Sequence, residues 1–120
     1  MRQCSWLEHQ LSEGKNRYTH TFAFAHIPLH RQGEEANYYL AVNDQKFLRE
    51  LVVQHEPTAL FFGHLHRLER FTVGKTDIFS VHGSNWTNTL VRPPYDPIGF
   101  NVVRVYKDGV KLEFFPIEAT

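Results

Sequence analysis

The sequence predicts an α/β fold: one strand–helix–strand unit followed by an antiparallel meander. Two compact apolar runs, residues 19–27 and 58–62, flank a stretch of helical periodicity at 44–55. Unbroken apolar runs suit strands covered on both faces, the environment of a parallel sheet. Beyond residue 70, short β-suited segments alternate with turn residues, the pattern of a meander.

Each element has its own signal. Residues 5–12 read as a short helix, with Ser5 as N-cap, Glu8 three positions later and Trp6, Leu7 and Leu11 as an apolar stripe. Gly14 is expected to stop it. The run at 19–27 is a strand ended by Pro28, and 29–42, polar and carrying Gly33, is an exposed loop. Asn43 or Asp44 can cap the helix at 44–55, where Phe47, Leu48, Leu51 and Val52 share a face and Pro57 closes the segment. The strand at 58–62 ends at Gly63, and a strand–helix–strand order makes the two strands parallel. Segments 70–73, 77–82, 100–106 and 110–115 read as antiparallel strands, with Gly74-Lys75 and Lys107-Asp108-Gly109 as turns. Residues 87–99, with Pro93, Pro94 and Pro97, read as a rigid surface loop.

Composition narrows the function. A chain of 120 residues is one domain or a piece of one. Ten Phe, five Tyr and two Trp are too many for a solvated coil. Thirteen basic and thirteen acidic side chains cancel, leaving no footprint for nucleic acid or an anionic membrane surface. No apolar run approaches the roughly 20 residues of a spanning helix. The lone Cys4 excludes an internal disulfide and a multi-cysteine zinc site. The N-terminus lacks the apolar centre of a signal peptide, so the cytoplasm is the default expectation. Eight histidines are a high count, and the chemistry is expected there.

His26 follows the first apolar run, and Gly63-His64-Leu65-His66 follows the second. In open α/β sheets the functional crevice lies outside the carboxyl ends of the strands, so three imidazoles are expected on one edge. Imidazole is a common ligand of transition metals. If the His64–His66 segment is extended, both side chains project to one side, and Gly63 would permit a tight turn before them. They could then share one ion or reach two ions about 3.5–4 Å apart. His-x-His also occurs in proteins that bind no metal, and His26 alone reads more simply as a satisfied strand-end histidine.

Three blocks carry a family resemblance: Trp6-Leu7-Glu8-His9-Gln10-Leu11, Phe22-Ala23-Phe24-Ala25-His26-Ile27-Pro28 and Leu60-Phe61-Phe62-Gly63-His64-Leu65-His66. In order and spacing the chain resembles the C-terminal half of a calcineurin-like metallophosphoesterase. The resemblance implies that residues 1–120 are the C-terminal portion of one domain, a two-sheet α/β/β/α sandwich, whose N-terminal half is absent. It implies two divalent metal ions (manganese, iron or zinc), with His26 and His64 on one and His66 on the other, and a phosphoester as substrate. The family's Asp-x-His, bridging Asp and Asn-His blocks are missing, since Asp44, Asp77, Asp96 and Asp108 stand in the wrong order and His82-Gly83-Ser84-Asn85 is a different motif. A lone C-terminal half would expose strand edges, so self-association or a partner carrying the missing half is expected.

Other residues carry less. His30, Arg31, Arg67 and Arg70 could touch a phosphate, though a solvated loop charge is the simpler reading. His82 ends a strand and could approach the site, whereas His9, His20 and His55 look structural. Asn85-Trp86-Thr87 fits a glycosylation triplet of the kind that recurs by chance. Two alternatives remain: a non-catalytic interaction module, and a single-metal cupin-like barrel using His64, His66 and Glu69, which the helix at 44–55 argues against.

Overall fold

Residues 2–83 and 98–117 are described by the structure, a computed structural model. Among them, helix α1 (Arg2–Arg17) precedes the predicted strand–helix–strand unit, formed by β1 (Phe22–Ala25), α2 (Val42–His55) and β2 (Ala59–Phe62). The two strands pair in parallel, from Phe22 opposite Ala59 to Ala25 opposite Phe62.

Helix α1 is longer than predicted because Gly14 does not stop it. Gly14 is buried within the helix, and a Cβ there would overlap the Thr21 side chain. The residue permits a close approach rather than a turn. Lys15 and Arg17 occupy the last turn, where the helix dipole favours cations. Helix α2 starts earlier than predicted, after Ala41, which makes no side-chain cap. Asp44 lies in its first turn, and Glu56, with φ 51°, ends it by donating its N–H to Val52 O at 2.9 Å.

The strand expected at 19–27 is confined to the four residues of β1, which is an edge strand rather than one covered on both faces. Phe24 is 77% exposed, and Ala25 is exposed too. Burial on both faces belongs to β2, where all four residues are buried. The meander expected after residue 70 divides. Strands β3 (Glu69–Val73) and β4 (Thr76–Ser80) join the first sheet in the order β1-β2-β4-β3, with β4 parallel to β2 and antiparallel to β3. Ile78 and Phe79 put apolar side chains on both faces of β4, which a central position covers. Only β5 (Gly99–Tyr106) and β6 (Gly109–Pro116) form a separate antiparallel pair.

The first sheet is packed on both sides. On the helix side, Val52 meets Leu29, Leu60, Phe62, Phe71, Val73 and Ile78. On the other, Ala59, Phe61 and Phe79 meet Val103, Val110 and Leu112 of the β5–β6 hairpin. Each fully buried side chain of this size contributes about 1.5–3 kcal/mol. Phe24, Phe61 and Phe79 stand opposite one another across β1, β2 and β4, with ring centroids 5.1 and 5.3 Å apart, and Arg70 of β3 lies over Phe79. This ladder ends on solvent at Phe24. The parallel pairings do not fit a small cupin-like barrel. Among the described residues no helix is long and apolar enough to cross a membrane. The glycosylation triplet and most of the predicted proline-rich loop lie outside the described residues.

Candidate metal centre

Because β1, β2 and β4 run parallel, their carboxyl ends share one edge of the sheet. His26 follows β1, the Gly63–His66 segment follows β2, and His82 with Gly83 follows β4.

The structure brings His26 and His64 together. His26 Nε2 lies 3.2 Å from His64 Nδ1, and the rings meet edge to face with centroids 4.9 Å apart. The backbone fixes this contact, since Gly63 N–H donates to His26 O at 3.1 Å. A Cβ on Gly63 would lie 3.3 Å from His26 Nδ1, tighter than ordinary contact. Gly63 does not take a left-handed φ, so it serves close approach rather than the predicted tight turn.

The histidine pair is not on an extended segment either. His64 has φ 72° and His66 φ 57°, while Leu65 N–H donates to Gly63 O at 2.8 Å, closing a γ-turn on His64. Leu65 is only 3% exposed, so it anchors the turn in the core, with His64 and His66 half-buried on either side of it. Left-handed φ at residues other than glycine costs on the order of 1–3 kcal/mol each, and such strain gathers at functional sites.

The electrostatics favour the neutral imidazole at His64. The pKa of His64 is lowered from the ordinary histidine value, first by partial burial and then by the neighbouring His26 and His66. The donor spacing also suits a metal. Two nitrogens on one ion, each about 2.0–2.1 Å away at tetrahedral or octahedral angles, stand roughly 2.9–3.4 Å apart. The His26–His64 separation falls inside that range.

His66 is close enough to help lower the His64 pKa but, among the described residues, makes no hydrogen bond or ring contact with the pair. Its buried Nδ1 has no hydrogen-bond partner among the described residues. Gly83 presses on its ring, where a Cβ would come 2.8 Å from His66 Cγ. Among the described residues no three His, Cys, Asp or Glu side chains are grouped to hold one ion.

The nearby basic residues have structural partners. Arg31 donates to Arg70 O at 2.8 Å and lies over Phe71. Arg67 pairs with Glu69 and donates to Tyr39 Oη, each at 3.3 Å. Arg70 lies 3.7 Å from Asp77, and His30 Nδ1 accepts the N–H groups of Gln32 and Glu34. His82 stacks on Phe114 with centroids 3.9 Å apart.

Two residues escape a sequence reading. Gln45 is buried, and its amide bonds to Glu34 O, Leu40 O and His30 N hold the 28–40 loop closed. Tyr38 places its ring centroid 6.0 Å from that of His64. Helix periodicity hints at Gln45 facing the core, whereas nothing separates Tyr38 from Tyr39 in a polar loop. No protein-family model matches the chain, and no curated protein shows a significant match to it.

Proposed function

We propose that this chain supplies the imidazole ligands of a metal-dependent phosphoester hydrolase and represents the C-terminal portion of a two-sheet sandwich domain. The observation that carries the reading is the His26–His64 contact, two nitrogens 3.2 Å apart at the carboxyl ends of neighbouring parallel strands. The strained turn that projects His64 and His66 supports it. The free edge of β1, with its unterminated ladder at Phe24, supports an incomplete sheet that a further segment or a second copy would extend.

In this reading His26 and His64 hold one divalent cation through neutral imidazole nitrogens, and His66 holds a second. The cations, manganese, iron or zinc, would acidify a bound water and polarise the phosphoryl oxygens. The chain's own contribution is orientation. Gly63 seats His26 against His64, Leu65 ties the turn to the core, and Gly83 confines His66. In this reading carboxylates to balance the cation charge would come from a further segment or a partner chain, since Glu69 and Asp77 are already paired with arginines.

Calorimetric titration with manganese and zinc tests this directly. Wild-type chain should bind, and His26→Ala or His64→Ala should each weaken binding by at least about tenfold, since even outer-shell losses cost that much. Equal binding by all three proteins would sink the proposal. Metal binding without phosphoester turnover would favour the interaction-module reading for the isolated chain.

A further inference from the structure

Among the described residues, four that are not glycine have left-handed φ: Tyr38, Glu56, His64 and His66. Glu56 is accounted for by the end of α2. The other three surround one site. Tyr38, with φ 75°, is the least expected, because a bulky aromatic side chain is a marked outlier in that region.

The loop around it explains how the strain is held. Tyr39 points inward, its Oη donating to Glu69 Oε1 at 3.0 Å and accepting from Arg67 at 3.3 Å, while its ring meets His30 edge to face. Leu40 N–H donates to Pro28 O at 3.0 Å. Arg67 directly follows His66, so the network staples the Tyr38 loop to the histidine turn. With Tyr39 anchored, the left-handed backbone turns Tyr38 outward. Tyr38 is 49% exposed, and its ring is tilted 57° to that of His64 at 6.0 Å. An aromatic ring left open to solvent beside a ligand pair offers a stacking face for a planar group.

We propose that Tyr38 is a specificity-determining residue of this site, stacking on the aromatic ring of an aryl phosphoester, or on the base of a nucleoside phosphoester, whose phosphoryl group sits at the His26–His64 pair. The inference rests on the phosphoester reading and deepens it. No bond is made or broken by Tyr38; it supplies binding contact only.

The test compares phenyl phosphate with methyl phosphate by calorimetry on the manganese-loaded chain. Wild type should prefer phenyl phosphate by roughly fivefold or more, the scale of one base-on-aromatic contact. Tyr38→Phe should keep the preference and Tyr38→Asn should abolish it, with manganese affinity the same in all three. Asparagine tolerates left-handed φ, so Tyr38→Asn should also melt no lower than wild type. A lower melting temperature would mean that Tyr38 is a packing residue and overturn the inference. So would an unchanged phenyl preference in Tyr38→Asn, or no preference in a wild type that binds both phosphates. A wild type that binds neither manganese nor phosphate would overturn the phosphoester reading itself and this inference with it.

Discussion

Strands β1 and β2 are neighbours of equal length and similar composition, Phe-Ala-Phe-Ala beside Ala-Leu-Phe-Phe, yet they live in different surroundings. Strand β2 has β1 on one side, β4 on the other, α2 above and the hairpin below, and every residue is buried. Among the described residues strand β1 has one neighbour, and its second half is exposed. Side-chain chemistry made both strands, but the number of neighbours decided which became core. The same contrast continues past their ends, where an exposed His26 meets a half-buried His64.

The contrast is sharpest in stability. Phe62→Ala removes a ring that is 2% exposed and should cost about 3–5 kcal/mol. Phe24→Ala should cost about 0.5 kcal/mol or less, the ordinary range for surface changes. Urea unfolding of the two variants measures the difference, and equal losses would show that β1 is covered in solution.

Gly63→Ala probes the joint between the strand ends. The added methyl must push His26 aside by a few tenths of an ångström, so a stability loss of about 1 kcal/mol is expected, with about a tenfold loss of manganese affinity. Unchanged metal affinity would separate the glycine from the proposed role of the His26–His64 pair.

The smallest effect is the pH response of His64. Its folded pKa lies below the ordinary 6.5, so the unfolded chain takes up the proton more readily. Stability from this group is therefore complete above about pH 6.5 and declines as the pH falls through and below that value. His64→Asn should flatten that part of the stability profile. A profile unchanged by the substitution would assign the decline to other groups.

How legible the molecule is from its sequence differs by element. The helix at 44–55 is visible because Leu48, Leu51 and Val52 repeat with helical period; Leu51 is buried, and Leu48 and Val52 pack on the sheet. The pairing of 58–62 with the preceding strand followed from the order of elements. Gly14 and Gly63 misled for one reason. Glycine signals either a turn or a close contact, and only the neighbouring Thr21 and His26 tell which applies. Strand β4 was read as part of a meander because a single strand does not reveal which of two partners lies beside it. Placing His26 with His64 was within reach, as both follow strands of a parallel pair. The left-handed turn at His64 and His66, and the approach of Tyr38, depend on backbone angles that no residue type in the loop announces.

Local chemistry alone therefore determined the helices, the apolar strands and which side chains were available as metal ligands. These follow from periodicity and from the side chains themselves, which act over a few residues. Tertiary structure alone decided which strand became the edge, which imidazoles touch and which tyrosine faces the site. Those outcomes depend on packing between segments distant in the chain, where a bond such as Gly63 N–H to His26 O sets the geometry.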